Sequence, residues 1–384
     1  MRILHLCLAN FFIDNYAYQE NMITKYHKLA GNEVYVVASL FTFDKNGKGT
    51  YLEKSSEYVN EHGVQVTRLD FKRNNKFCRK FRYYKNVYET IEKCNPDVIM
   101  IHNVQFMDIK QVVKYLKKHP AVKVYADNHA DFMNSAANWI SKNILHKIIW
   151  KSCAKKIEPY VTKFYGVLPA RVDFLKNVYK LPENKVELLV MGADDEKVES
   201  ARNIEVRAKM REKFGVNDED FVIITGGKID KNKPETLELM KVVSELDKGI
   251  KLVVFGSVVP ELKEEFDQLT KNKNIIYIGW INATDVYDYY AAADLAFFPG
   301  KHSVLWEQAV GLGIPCVFRK MEGFTHVDLG GNCVMLETVS EQTMRESIEK
   351  IYGNKKFYTD MKKITLEKGM EEFSYKKIAE RSIR

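Results

Sequence analysis

Residues 294–318, DLAFFPGKHSVLWEQAVGLGIPCVF, constrain this chain more than any other stretch. An apolar run at 295–298 breaks at Pro299-Gly300. A short polar turn follows, then an amphipathic segment carrying Glu307, and Gly313-Ile314-Pro315 opens a second apolar run. That order predicts strand, loop, helix, strand, with the loop and helix N-terminus at the carboxyl edge of a parallel sheet, where doubly wound sheets bind ligands. Amides in the first turn of a helix have no partner inside it, so they suit an anion such as a phosphate. Glu307 falls about one turn inside the helix, where a carboxylate can accept hydrogen bonds from two neighbouring hydroxyls. A ribose offers such a pair.

The rest of the chain alternates short β-rich apolar runs with longer helical patterns, which predicts parallel α/β architecture. Strands are expected near 2–8, 34–38, 64–69, 97–102, 122–126, 160–165 and 186–191. A helix should run from Tyr18 to Leu29 and stop at Gly31. After Met191-Gly192-Ala193-Asp194 comes a charged helical stretch at 195–214, and the alternation restarts with strands at 221–225, 251–255, 274–278, 294–298, 314–318 and 332–335. The restart places a first domain at 1–194 and a second at 195–365. The two should be similar sheet domains facing each other across a cleft, a usual place for a ligand. No flexible linker and no short repeat is present.

Composition narrows the class. The 384 residues are 46% apolar, enough for two cores, and no apolar run reaches the roughly 20 residues that span a bilayer. The opening MRILHLCLANFF reads as a first strand rather than a signal peptide. Six cysteines at 7, 78, 94, 153, 316 and 333 lack CxxC spacing, which favours reduced thiols and a cytoplasmic setting. The net charge of +8 is mostly dispersed, and a nucleic-acid partner is not expected. The exception is 72–85, KRNNKFCRKFRYYK, with seven basic residues and no acidic one. Phe77, Phe81, Tyr84, Tyr88 and Ile91 recur there at helical spacing beside Arg79, Arg82 and Lys85. Two readings stand: a helix docked on its own core with a solvated basic face, or a surface that rests peripherally on anionic membrane lipid.

Several constellations could carry chemistry. The second domain opens with FVIITGGKIDKNKPETLELM, in which a strand runs into Gly226-Gly227 and a loop holding Lys228 and Lys233. Glycines there let backbone approach a ligand, and two ammonium groups can close on one diphosphate. The alternative is an ordinary lysine-rich surface loop. The loop after the first strand, 11–20, has no glycine and is polar and aromatic. With Asn15, Tyr16 and Tyr18 it suits a sugar or acceptor better than a pyrophosphate. His129 follows a strand end in YADNHADF, flanked by Asn128 and Asp131, and could be a loop histidine with no role. His102 reads as structural. His302 sits in the loop ahead of Glu307, where it could face the same cleft. No HExxH, paired Cys/His spacing or strand-end DxD is visible, so no metal and no other cofactor is expected.

In order, these landmarks resemble the family 4 retaining glycosyltransferases of the GT-B fold, which are built from two Rossmann-like domains. Asp97 to His102 resembles the family's "DVIHxH" segment, and Asn128-His129-Ala130-Asp131 its "HD" loop. Met191-Gly192-Ala193-Asp194 is similar to "NGVD", and Gly227-Lys228 through Lys233 to "GRxxxxKG". Gly279-Trp280 resembles "GF". Glu307-Gln308-Ala309 with Gly313-Ile314-Pro315 is similar to "EAMAxGxP", and Ser374-Tyr375 to "FSW".

The resemblance implies transfer of a hexosyl unit from a nucleotide-diphosphate sugar, by default a UDP sugar, to a glycan or lipid-linked saccharide, as in surface polysaccharide synthesis. It places Lys228 and Lys233 on the donor diphosphate, Glu307 on the ribose hydroxyls, and His129 on the donor sugar from the opposite wall. His129, Lys228, Lys233 and Glu307 would carry catalysis, and a closing cleft would exclude water. The last helix, 366–384, should cross back to the first domain. One departure stands out. Family members carry a second glutamate eight residues before the ribose one; here that place is Pro299, and the usual EGFG stretch is shortened to Lys301-His302-Ser303-Val304. The donor sugar would then be held by backbone amides of the turn His302, Ser303, Val304 and Leu305, by the side chain of His302 or Ser303, or by the first domain. Two rivals keep the fold: a nucleotide-sugar epimerase or hydrolase, and a non-catalytic nucleotide-sugar-binding module. Oligomeric state is not encoded in any motif.

Overall fold

The computed structural model describes residues 1–44, 48–230, 234–247, 249–282 and 284–384. The chain divides into two compact units, residues 1–191 with 375–384, and residues 192–374. Each is built on its own sheet.

The first unit holds β1 (Arg2–Cys7), β2 (Glu33–Ala38), β3 (Phe41–Phe43), β4 (Gly49–Tyr51), β5 (Ser56–Val59), β6 (Gln65–Arg68), β7 (Val98–His102), β8 (Lys123–Asn128), β9 (Lys163–Gly166) and β10 (Val186–Leu188). Eight of these form one sheet in the order β10-β9-β8-β7-β1-β2-β6-β5. Its neighbours pair in parallel, except that the edge strand β5 runs antiparallel to β6. The long apolar runs predicted each of the parallel strands. The β3–β4 hairpin and β5 were not predicted, because they are short, largely exposed and interleaved with polar residues.

The second unit holds β11 (Phe221–Gly226), β12 (Ile250–Phe255), β13 (Ile275–Tyr277), β14 (Leu295–Phe298), β15 (Cys316–Arg319) and β16 (Cys333–Leu336), all parallel, in the order β13-β12-β11-β14-β15-β16. Both sheets reverse their winding once, between β7 and β1 in the first and between β11 and β14 in the second. A crevice opens at the carboxyl ends of strands wherever that happens.

Three details differ from the sequence reading. The aromatic spacing at 77–91 does not make one helix. Helix Lys76–Phe81 ends at Arg82 in the left-handed region (φ 57°), Tyr84 bridges to Phe71, and a second helix, Val87–Cys94, starts after Asn86 (φ 55°). Nor is there one solvated basic face, since Arg79 lies over the Tyr51 ring and Arg82 lies over Trp150 while donating to the Gln105 carbonyl. The charged stretch at 195–214 is two helices, Asp195–Ala201 and Ile204–Phe214, because the Asn203 side chain caps the second by accepting from Glu205 N. Finally, the chain groups with the first unit only from residue 375. Helix Lys355–Glu372 stays with the second, where a Cβ at Gly369 would meet the Val310 carbonyl at 2.3 Å and so lets the backbones touch.

Candidate functional site

In the first unit the predicted site residues gather at the β7/β1 switch point. β1 carries His5, β7 ends at His102, and β8 ends at Asp127-Asn128, with His102 and Asp127 paired directly across the two strands. The loop after β8 brings His129 back over them. Its amide donates to Asn103 Oδ1 (2.9 Å), and its ring Nε2 lies 3.3 Å from both Asp127 Oδ1 and Glu20 Oε1. Glu20, from helix Gln19–Leu29, also accepts from the Asn10 side chain.

Behind His129 runs a buried line of imidazoles. His102 Nδ1 faces Asp127 Oδ2 at 2.5 Å, His102 Nε2 faces His5 Nδ1 at 2.9 Å, His5 Nε2 faces His27 Nδ1 at 3.0 Å, and His27 Nε2 faces the Ala379 carbonyl at 2.8 Å. The carbonyl can only accept, so His27 carries its proton on Nε2 and accepts on Nδ1. The same logic puts a proton on His5 Nε2 and another on His102 Nε2. Four contacts need four protons, and three neutral imidazoles supply three. The fourth is therefore held between His102 and Asp127, as an imidazolium and a carboxylate. The electrostatics agree in direction. Burial works against a charged His102, yet Asp127 raises it overall; burial works against an ionised Asp127, yet His102 and His129 hold it well below the usual carboxylate range. Burial pushes His27 down to about 4 and lowers His5 strongly, keeping both neutral.

The loop at 11–20 packs as an aromatic cluster. Tyr16 stacks on Tyr18 (5.4 Å between ring centres) and Phe11 on Phe41 (4.5 Å), leaving Phe11 exposed. Arg68 anchors this loop by donating to the carbonyls of Phe12 (2.7 Å) and Ser39 (3.1 Å). Asn15 is exposed at φ 63°. Asn128 and Asp131 are buried and turned to protein: Asn128 donates to the Ala130 carbonyl, while Asp131 accepts from the amides of Met133 and Asn134 and from Arg171. These two shape the His129 loop from within.

In the second unit the β11/β14 switch point carries the rest. Gly226 ends β11 and Gly227 follows it; a Cβ on Gly226 would strike the Phe255 ring at 2.4 Å, and Gly227 adopts φ 123°. Lys228 follows, exposed, with Nζ 3.6 Å from Asp230 Oδ2. Lys233 lies outside the described residues. After β14, the turn at 302–304 leads into helix Leu305–Leu312, whose N-terminus has no side-chain cap.

Glu307 in that helix's first turn is fully buried. Its Oε1 receives His302 Nε2 and His326 Nε2, each at 2.8 Å. Its Oε2 has no partner among the described residues, and neither has His326 Nδ1 or Trp306 Nε1. Burial disfavours the charge, but His302 and then His326 outweigh it and hold the carboxyl down at about 2. The site is thus a buried carboxylate clamped on one oxygen and without a partner among the described residues on the other.

Sequence reasoning missed His326, Glu20, Asp127, His5 and His27. His326 had one available signal, its place in the loop following β15, the strand beside β14. Glu20, His102 and His129, like His302, Glu307 and His326, bring one ligand atom each within 4.8 Å of one another, so either trio could be asked to hold a metal. Both nitrogens of His102 are committed to protein partners, and His326 Nδ1 has no partner among the described residues.

The fold matches solved GT-B structures over almost its full length. A glycosyltransferase from Rickettsia africae is 14% identical with a TM-score of 0.68, covering 99% of this chain and 96% of that one. HepE from Anabaena, solved in complex with UDP, is 14% identical at a TM-score of 0.68, covering 99% and 98%. A putative UDP-N-acetylglucosamine 2-epimerase from Listeria monocytogenes is 12% identical at 0.63, covering 99% and 94%. The architecture, two parallel-sheet units, is GT-B. Residues 206–368, spanning Gly226 to Glu307 and His326, match the family model described as glycosyl transferases group 1. No curated protein sequence matches the chain.

Proposed function

We propose that the protein moves a hexosyl unit from a nucleotide-diphosphate sugar, with a UDP sugar as the default donor, to a glycan or lipid-linked saccharide, with retention at the anomeric carbon. The observation that carries the donor side is the buried Oε2 of Glu307 at the switch point of the second sheet, which has no partner among the described residues. A buried carboxylate oxygen without a donor is costly, and a ligand hydroxyl would complete it. The uncapped helix N-terminus beside it, with Gly226, Gly227 and Lys228, supplies donors for a diphosphate. HepE, whose fold this chain shares, binds UDP and UDP-glucose, which supports the uridine default. The aromatic loop of the first unit fits a saccharide acceptor, and the overall role is assigned to surface polysaccharide synthesis. Peripheral contact of 72–85 with anionic lipid belongs to the same reading, on charge alone.

Calorimetry with UDP, GDP, CDP and ADP tests the donor site. UDP should bind best, and Glu307→Ala should weaken it by about 10- to 100-fold, the worth of one or two charge-assisted hydrogen bonds. Near-native affinity in that variant would remove Glu307 from the site.

A second reading, epimerase or hydrolase, is favoured by one feature. Asp127, His129 and Glu20 form an acid–base cluster that transfer with a diphosphate leaving group does not obviously require. Incubating a UDP sugar alone separates the two. Turnover without acceptor at the full rate supports the second reading; silence until a saccharide is added supports transfer.

A further inference from the structure

The loop that carries Asn128, His129 and Asp131 runs straight into a surface whose apolar residues face outward. Phe132, Met133, Trp139, Ile140, Ile144 and Ile148 are all exposed, Trp139 by 69% and Ile148 by 62%. The last three sit four residues apart along Ile140 and the π-helical segment Ser141–Trp150, so they fall near one face. The opposite face is already satisfied. His146 and Trp150 are buried, His146 Nδ1 meets the Tyr179 hydroxyl at 3.0 Å, and Leu145 and Ile149 pack on the first unit's core. A helix apolar on both sides has one side too many for water.

Charge says what covers the outer side. Residues 132–157 hold five lysines, at 142, 147, 151, 155 and 156, and neither aspartate nor glutamate. Lys156 continues into an open groove shared with Lys110, Lys114 and Lys117. The second acid-free segment, 72–85, meets this one at Trp150, which Phe81 contacts at 6.2 Å between ring centres and Arg82 overlies at 5.6 Å. Exposed isoleucine and tryptophan ringed by lysines is the chemistry of a surface that seats in the headgroup layer of an anionic bilayer. No described helix is long and apolar enough to cross the membrane.

We infer that residues 132–156 form a membrane-docking face that rests on anionic lipid through Trp139, Ile140, Ile144 and Ile148, with the lysines holding the headgroups. A second copy of the chain would want its own acidic complement, which this segment does not offer. On the proposed function, the face would bring a lipid-borne acceptor alongside the His129 loop. The docking itself needs neither donor nor acceptor.

Vesicle co-sedimentation with the full chain tests it, using phosphatidylcholine vesicles with and without about a third phosphatidylglycerol. The protein should pellet with the anionic vesicles only, and less as salt rises from about 0.05 to 0.5 M. The triple variant Trp139→Ser/Ile144→Ser/Ile148→Ser should lose at least about tenfold in partition, with UDP affinity kept. Lys142→Glu/Lys147→Glu should lose about as much, since each lysine near such a surface contributes roughly fivefold. A fluorescence arm covers any variant that folds poorly. In a Trp280→Phe background, Trp139 is left as the exposed tryptophan, and its emission should shift to the blue on adding anionic vesicles. Three results would overturn the inference: no vesicle binding and no shift; binding that survives the triple variant but is lost with Phe77→Glu; or a wild-type dimer that the triple variant splits, making this face a subunit interface.

Discussion

The two units each place histidine and carboxylate at the switch point of their sheet, and they use the pair in opposite ways. In the first unit the carboxylate Asp127 is fully committed, with His102 on one oxygen and Asn103 N and His129 near the other. In the second, Glu307 has both histidines on one oxygen and no partner among the described residues on the other. One cluster spends its donors on fixing the orientation and protonation of a neighbour. The other spends them on holding a single acceptor ready. A positioning device and a binding device can thus be told apart by which oxygen is left over.

The contrast can be broken most severely at His102. His102→Ala strips Asp127 of its buried partner, and removal of one member of such a pair costs about 3–5 kcal/mol. His326→Ala leaves Glu307 bonded to His302 and should cost about 1–2 kcal/mol. Urea unfolding of both variants compares them, and equal losses would erase the distinction.

Acid should come next. Glu307 titrates at about 2 when folded against 4.5 unperturbed, so its contribution is fully present above pH 4.5 and is lost as pH falls towards 2. The amount is about 3 kcal/mol, and Glu307→Gln should flatten that part of the stability profile. Asp127 has an acid limit of the same sign, whereas His102, raised on folding, is lost as pH climbs past its folded value. The first cluster therefore has an alkaline edge as well as an acid one. Nitrogen-resolved NMR of the histidines should find His102 still doubly protonated where an ordinary histidine has lost its proton, and titration near 6.5 would refute the proton count.

His129→Ala should cut turnover by about 100-fold while UDP affinity holds. A matching fall in affinity would place His129 in the nucleotide site instead. The smallest effect is expected from EDTA, under about twofold on activity, since both trios are read as hydrogen-bonded rather than metal-bound. Loss that zinc or magnesium restores would reverse that.

The parallel strands of both sheets were legible because buried parallel strands are near-continuous apolar runs that little else produces. What hid were elements with mixed polarity, such as β3, β4 and β5, and a helical periodicity at 77–91 whose aromatics serve turns and a bridge instead. Glu307 and the His129 loop could be read because their neighbours in sequence are their neighbours in space. The imidazole line could not. His5 and His102 are 97 residues apart, His102 and Asp127 are 25 apart, and His27 and Ala379 are 352 apart. Only strand order brings them together, since β1, β7 and β8 lie side by side.

That last separation bears on how the protein is made. The first unit's imidazole line ends on a carbonyl in residues 375–384, and Tyr165 likewise donates to the Arg381 carbonyl. A ribosome delivers that segment only after the whole of the second unit has emerged. Residues 1–191 must therefore wait, with His27 still lacking its terminal acceptor, while a complete second fold is synthesised. The amino-terminal half is begun first and finished last.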